Sequence, residues 1–185
     1  AYVVADNDGG ADVSQTPDYL DVRFHDNAAR KDAAFVLTPD AGDGSVYQDE
    51  FVNWLESTFA HPHTGGAPQI FYCLDTEPSL WPSTHPRIHP DATTYADLTS
   101  RSVAFAGAIK SVAEGALVFG PVSYGWAGWE ALQDAPDAGG RNFLELYLQT
   151  FRAAETATGE RLLDVVDLHW YPEARGGGVR ITEAG

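Results

Sequence analysis

Residues 71–81, with the sequence FYCLDTEPSLW, organise the predicted fold of the chain. The apolar and aromatic run at 69–74 is typical of a buried strand. Pro78 has a fixed φ and no N–H, so we expect the strand to end at Glu77. A carboxyl group beside an apolar wall such as Trp81 ionises less readily. We therefore expect a raised pKa for Glu77 and a role as a general acid. The structural alternative is that Glu77 caps the next segment or pairs with Arg87.

Predicted helices and strands alternate outward from this stretch. Helical spacing of apolar residues predicts helices over 46–59 and 142–157, and a long one that Asp91 or Thr93 caps and Gly115 ends. Apolar runs predict two more strands, at 116–119 and 162–170. This order indicates parallel βα units, in either a (β/α)8 barrel or an open doubly wound sheet. No glycine-rich phosphate loop opens a helix, which weakens a nucleotide-binding interpretation.

Unusual side chains follow the carboxyl end of each of these strands. Glu77 and Trp81 follow the first; the others are Tyr124, Trp126 and Trp129 after the second, and His169, Trp170 and Tyr171 at the end of the third. In a barrel these loops form the active-site face. Aromatic rings beside carboxylates suit a neutral, hydroxyl-rich ligand such as a sugar. The alternative is that the tryptophans belong to the core, which we expect for Trp54.

The charge and the cysteine content exclude several classes of function. The 185 residues include 27 acidic and 11 basic side chains, for a formal net charge of -16. This charge disfavours nucleic acid and anionic membranes as partners. No apolar run approaches the roughly 20 residues that span a bilayer. Cys73 is the only cysteine, so an internal disulfide and a cysteine-based zinc site are excluded, and we expect its side chain to be buried.

Two clusters invite a metal interpretation, and both are weak. The segment DNDGG at 6–10 departs from the EF-hand pattern, and a turn or an irregular cation site remains. A metal-dependent hydrolase using His61, His63, His85 and His89 is a further alternative, but these histidines lack regular ligand spacing.

Several long motifs resemble glycoside hydrolase family 44. They are YCLDTEPSLW at 72–81, STHPRIHP at 83–90, FGPV at 119–122, YGW at 124–126, LQDAPD at 132–137 and LLDVVDLHWYPE at 162–173, with FVLTPD at 35–40 and DEFVN at 49–53. The resemblance runs through nearly the whole chain in order. It implies a (β/α)8 (TIM) catalytic barrel, of which residues 1–185 are one incomplete part, truncated at both ends.

The resemblance also implies the activity: retaining hydrolysis of internal β-1,4-glucosidic bonds in cellulose- or xyloglucan-type polysaccharides by secreted bacterial endoglucanases and xyloglucanases. Glu77 matches the general acid/base. The expected substrate-binding residues are Thr76, Trp81, Tyr124, Trp126, His169 and Tyr171. No cofactor is expected for the chemistry. The resemblance allows a structural calcium, as in some relatives, and assigns it no ligand residues in this sequence. We expect a β-glucan as the partner, no nucleic acid, no membrane, a monomeric full-length protein and a signal peptide outside this chain.

Two departures from the family pattern are informative. Thr76 stands where the family usually has asparagine, so one hydroxyl replaces an amide that can both donate to and accept from a sugar hydroxyl. The family's nucleophile, a glutamate near the end of the seventh strand, has no counterpart here, because Glu173 and Glu183 do not match it. Retention needs two carboxyl groups roughly 5 Å apart. We therefore expect the isolated chain to be inactive; the alternative is a non-catalytic carbohydrate-binding barrel remnant.

Overall fold

A parallel three-stranded sheet carries the candidate site in the computed structural model. The structure describes residues 2–5, 17, 24–38, 42, 44–59, 70–171, 174–176 and 179–180. The strands are β1 Tyr2–Ala5, β2 Phe24–Ala28, β3 Ser45–Tyr47, β4 Phe71–Cys73, β5 Leu117–Ser123, β6 Val165–Leu168, β7 Arg175–Gly176 and β8 Val179–Arg180. The helices are α1 Gln48–Thr58, α2 Trp81–Thr84, α3 Tyr95–Val112, α4 Gly125–Ala131 and α5 Phe143–Thr158, with a 3-10 turn at Pro78–Leu80.

Three sheets account for the described strands. In the central sheet β4, β5 and β6 run parallel in that order, with α3 between β4 and β5 and α5 between β5 and β6. The predicted parallel βα units are therefore confirmed. In a second sheet β2 pairs antiparallel with β1 and parallel with β3, and β7 and β8 form a short antiparallel pair. The complete barrel stays a prediction, because three consecutive parallel strands are also compatible with an open sheet.

The helices that cover the central sheet begin at side-chain caps. Asn142 caps α5 by accepting the N–H of Glu145 at 2.9 Å, and Gly159 ends the helix at a φ of 77°. Thr94 caps α3 by accepting the N–H of Asp97 at 3.0 Å. The predicted cap is therefore wrong, because Thr93 precedes the observed cap by one residue and Asp91 by three. Thr93 is buried, and its hydroxyl donates to the Pro78 carbonyl at 2.7 Å, tying α3 to the loop after β4.

The core lies between the central sheet and these helices. Its largest fully buried side chains are Tyr95, Leu98, Phe143, Tyr147 and Phe151, with Val118 from β5. Side chains alternate along β4, so that Tyr72 faces the core while Phe71 and Cys73 are exposed. The expectation that Cys73 is buried is therefore wrong, because its position places it on the face of β4 that the helices do not cover.

Helix α1 buries a different face from the one predicted. Val52 is buried together with the carboxylates of Asp49 and Glu50, whereas Phe51 and Trp54 are exposed. The assignment of Trp54 to the core is wrong, since 37% of it is exposed and it stacks on Phe51 with 5.9 Å between ring centroids.

Partners far along the chain compensate the buried acidic side chains. Asp49 accepts the N–H of Lys31 at 3.1 Å, and Glu50 accepts the N–H of Val36 at 2.8 Å and pairs with the Lys31 ammonium at 2.5 Å. Buried carboxylates with such partners avoid the cost of an unpaired charge.

Candidate active site

Glu77 lies where the chain leaves β4. Pro78 opens the 3-10 turn directly after it, as a proline at the first position of a helix does. Glu77 itself has a φ of 46° and a ψ of 54°, in the left-handed region that residues other than glycine seldom adopt. Its side chain makes no capping hydrogen bond to the turn, which removes the capping alternative. The carboxylate is therefore available for interactions across the sheet edge.

Two residues from the end of β6 contact the Glu77 carboxylate. The Tyr171 hydroxyl donates to Oε1 at 2.5 Å, and His169 Nδ1 lies 2.7 Å from the same oxygen. These residues are separated from Glu77 by 94 and 92 positions in sequence. The sequence-predicted Glu77, His169 and Tyr171 thus form one hydrogen-bonded cluster at the carboxyl end of the parallel sheet.

The cluster lowers the pKa of Glu77. The main cause is the hydrogen bond from Tyr171, followed by the one from His169, and both outweigh the opposing effect of desolvation. Hydrogen bonds to an ionised carboxylate stabilise its charged form. The expected rise in this pKa is therefore wrong for the chain as it stands. The same contact raises the pKa of Tyr171, mainly because deprotonation would remove the hydrogen bond that the hydroxyl donates to Glu77.

Aromatic rings extend from this cluster, and all but the half-buried Trp129 are exposed. Tyr124 lies with its ring centroid 5.2 Å from that of Tyr171. Trp129 contacts both Trp126 and Trp170, each with 5.4 Å between ring centroids. Trp126 is 61% exposed and Trp170 is 62% exposed. These rings form an aromatic surface, comprising Tyr124, Trp126, Trp129, Trp170 and Tyr171, beside the carboxylate.

Trp170 was not among the sequence-predicted substrate contacts. The signal was present, because Trp170 stands between His169 and Tyr171 in a strand-end motif. In a regular strand, however, Trp170 would point to the opposite side of the sheet from His169 and Tyr171. The chain has already left β6 at Leu168, so the alternation rule no longer applies there.

Two other predicted substrate contacts occupy different surroundings. Trp81 is only 5% exposed, belongs to the hydrophobic core, and packs against His89 with 5.2 Å between ring centroids. It therefore offers no open ring face, and the expectation that it binds substrate is corrected to a packing role. Thr76 is exposed next to Glu77, and its N–H donates to the Asp75 carboxylate at 2.8 Å.

The described residues do not assemble a metal centre. Within the described ranges, no group of three or more His, Cys, Asp and Glu side chains is placed to hold a metal ion. The described side chains therefore assign no ligands to the calcium that the resemblance allows, and this calcium stays a prediction. His85 lies 2.8 Å from the Thr84 hydroxyl, and His89 lies 2.9 Å from the Asp91 carbonyl. The segment at 6–10, His61 and His63 lie outside the described residues. No helix in the described part of the chain is long and apolar enough to cross a membrane.

Comparisons with known proteins identify close relatives. The sequence model of glycoside hydrolase family 44 matches residues 2–174. The chain is 44% identical to the β-mannanase/endoglucanase A of Caldicellulosiruptor saccharolyticus, over 97% of this chain and 14% of that protein. It is 42% identical to endoglucanase A of Paenibacillus lautus, over 100% of this chain and 27% of that protein.

Solved structures agree with these matches. A family 44 xyloglucanase from Paenibacillus polymyxa, solved with xyloglucan, superposes with a TM-score of 0.87 at 42% identity, over 98% of this chain and 36% of that one. The family 44 endoglucanase Cel44A of Clostridium thermocellum superposes with a TM-score of 0.86 at 45% identity, over 97% of this chain and 36% of that one. The chain therefore spans between 14% and 36% of the length of these relatives.

Proposed function

The chain belongs to glycoside hydrolase family 44, and we propose on that basis that it supplies the general acid/base, Glu77, and part of the sugar-binding surface of a retaining β-1,4-glucan hydrolase. The observation that carries this proposal is the hydrogen-bonded cluster of Glu77, His169 and Tyr171 at the carboxyl end of the parallel strands. Relatives described as endoglucanases and a xyloglucanase support a β-glucan as the substrate.

Glu77 acts twice in this mechanism. It first gives a proton to the departing glycosidic oxygen, and it then takes a proton from the water that releases the covalently bound sugar. His169 and Tyr171 both contact Oε1, so Oε2 is the oxygen that is free to carry the proton among the described contacts. The two neighbours therefore orient the carboxyl group through Oε1 and leave Oε2 for the proton.

The lowered pKa of Glu77 suits the second step better than the first. A general base must be ionised, which the hydrogen bonds from Tyr171 and His169 favour. A general acid must be protonated, and a second carboxylate roughly 5 Å away would raise the pKa through like-charge repulsion. We infer that the nucleophile supplies this charge before the first step. Formation of the glycosyl ester then removes the charge, so the pKa of Glu77 falls again and the residue becomes the base.

The nucleophile belongs, in this proposal, to a longer polypeptide that contains the chain. The limited length over which the relatives match supports this view. We expect the isolated 185 residues to show no hydrolysis of xyloglucan above background, while the longer protein is active. Robust turnover by the isolated chain would contradict the proposal.

A non-catalytic carbohydrate-binding role is the second candidate. The exposed rings of Trp126 and Trp170 favour it, because stacking on sugar faces needs no catalytic carboxylate. Substituting Glu77→Gln in the longer protein separates the two: loss of hydrolysis with retained binding of β-glucan supports the enzyme, and a wild-type protein that binds but never hydrolyses supports the binding role. Secretion and a monomeric state also stay predictions.

A further inference from the structure

Strand β5 is irregular at Val122, next to the candidate site. The register of β5 against β6 pairs Pro121 with Asp167 and Ser123 with Leu168, so Val122 is skipped. Val122 has a φ of 55° and is 4% exposed. An extra residue in one strand of a pair is a β-bulge, and a β-branched side chain in the left-handed region is rare. Such strain persists only where the surroundings hold it, and it clusters at functional sites.

The bulge reverses the side to which the carbonyl groups of β5 point. Before the bulge, the Val118 carbonyl accepts the N–H of Asp164, on the β6 side. The Phe119 carbonyl accepts the N–H of Leu74, on the β4 side. Carbonyl directions alternate along a regular strand, so an unbroken β5 would point the carbonyl of Val122 towards β6.

After the bulge, two consecutive carbonyl groups hold the main chains of the site. Val122 turns its carbonyl to the β4 side instead, where it accepts the N–H of Glu77 at 2.8 Å. The Ser123 carbonyl accepts the N–H of His169 at 2.9 Å on the β6 side. The Glu77 and His169 side chains then meet at 2.7 Å. Strand β5 therefore fixes the main chains of both Glu77 and His169 through two adjacent carbonyl groups.

We propose that Val122 is a positioning residue for the acid/base: its left-handed conformation shifts the β5 ladder by one residue, so that the Val122 and Ser123 carbonyls bring Glu77 and His169 into register. The inference rests on the proposed function, since this alignment affects catalysis only if Glu77 transfers the proton. The buried valine side chain holds the unfavourable backbone conformation in place.

A matched pair of variants in the longer, active protein tests the proposal. Val122→Pro forbids a positive φ, because the proline ring fixes φ near −65°. Val122→Gly also removes the valine side chain but accepts a positive φ without a steric penalty. We expect the proline variant to lose kcat by about a hundredfold, the loss that a misplacement of about 1 Å can cause. The glycine variant should retain most of the activity, and KM should change little in either.

The pH dependence of kcat/KM distinguishes a positioning role of Val122 from a purely structural one, which would leave the pH dependence unchanged. His169 helps to lower the pKa of Glu77, so separating the two should raise that pKa. The general acid loses its proton as the pH rises through this pKa. The alkaline limb of kcat/KM should therefore move to higher pH in the proline variant and stay in place in the glycine variant. Equal kcat values and equal pH profiles for the two variants would overturn the proposal.

If the proline variant does not fold, Val122→Ala takes its place. Alanine loses most of the packing that holds the bulge but keeps a steric penalty in the left-handed region. We expect it to show a lower kcat than the glycine variant and a shift of the alkaline limb in the same direction. Equality of alanine and glycine in both measurements would overturn the proposal.

Glu77→Gln, assayed in parallel, distinguishes a failure of the acid/base assignment from a failure of the positioning role of Val122. Full activity of this variant would refute the acid/base assignment itself. An inactive Glu77→Gln variant, together with indistinguishable Val122 variants, would refute only the positioning role.

Discussion

At the scale of single residues, the site depends on two hydrogen bonds to one carboxylate oxygen. Tyr171 and His169 both contact Oε1 of Glu77 and lower its pKa. The sequence predicted all three residues, but it predicted the opposite direction of the pKa shift. That direction depends on contacts across more than 90 positions, which local sequence patterns do not report.

Tyr171→Phe should raise the pKa of Glu77, since it removes the hydrogen bond that contributes most to the lowered value. A higher pKa keeps the general acid protonated to higher pH. In the longer protein we expect the alkaline limb of kcat/KM to move to higher pH. Tyr124→Phe is the matched control, because its ring lies beside Tyr171. If the alkaline limb of kcat/KM does not move in Tyr171→Phe, the hydrogen bond from Tyr171 does not lower the pKa of Glu77.

Thr76→Asn should raise kcat in the longer protein. Asparagine offers both a donor and an acceptor to the sugar 2-hydroxyl, and this interaction strengthens in the transition state. One such hydrogen bond is worth about 0.5–1.5 kcal/mol, roughly a two- to tenfold change. Thr76→Val serves as the control and should lower kcat. No gain from asparagine would refute the proposed role of position 76.

At the scale of the elements, a buried ion pair joins α3 to the start of β5 and β6. The Lys110 ammonium lies 2.7 Å from Asp164 Oδ2 and donates to the Ala116 carbonyl at 2.6 Å. The same Asp164 oxygen accepts the N–H of Val118 at 2.8 Å. The Lys110 and Asp164 side chains are 7% and 16% exposed, so solvent screens the pair only weakly.

Lys110→Met should destabilise the protein by about 3–5 kcal/mol, because it leaves the Asp164 charge buried without its partner. The comparison is Arg101→Met, which removes the more exposed Asp97–Arg101 pair on the same helix and should cost about 0.5 kcal/mol. Urea unfolding of both variants measures the difference. Equal losses of stability would show that burial does not determine how much the Lys110–Asp164 pair contributes to the free energy of unfolding.

The elements also show where sequence patterns succeed and where they fail. Helix α5 was predictable because Asn142 and Gly159 mark its ends and its apolar residues repeat at helical spacing. Helix α1 was predictable as a helix, but its buried face was not. The residues that pair with its carboxylates, Lys31 and Val36, lie well before it in the chain, and no periodicity of α1 itself indicates them.

At the scale of the whole molecule, the parallel sheet brings the functional side chains that follow β4, β5 and β6 to one edge. The sequence predicted this edge because parallel strands present their carboxyl ends together. It did not predict the bulge at Val122, since valine is a residue typical of regular strands. It also placed Trp81 in the site, although the turn after Pro78 directs this ring into the core.

The aromatic surface should contribute to polysaccharide binding. Removing the Trp126 ring in the longer protein should raise KM for xyloglucan by roughly fivefold, equivalent to about 1 kcal/mol of lost stacking, with little change in kcat. Trp170→Ala should act similarly. Trp54→Ala is the control, because that ring is exposed on α1 with Phe51. An equal rise in KM for the Trp54 variant would contradict a specific role for the surface.

The most direct measurement is the hydrolysis of xyloglucan by Glu77→Ala in the longer protein, with an activated aryl glycoside and azide in a parallel reaction. Without a general acid we expect polysaccharide hydrolysis to fall by about 10²- to 10⁴-fold. An activated leaving group needs no proton, and azide can replace the water that Glu77 would deprotonate, so azide should restore turnover and give the β-glycosyl azide. Wild-type hydrolysis of xyloglucan, or an α-glycosyl azide product, would contradict the assignment of Glu77 as the acid/base.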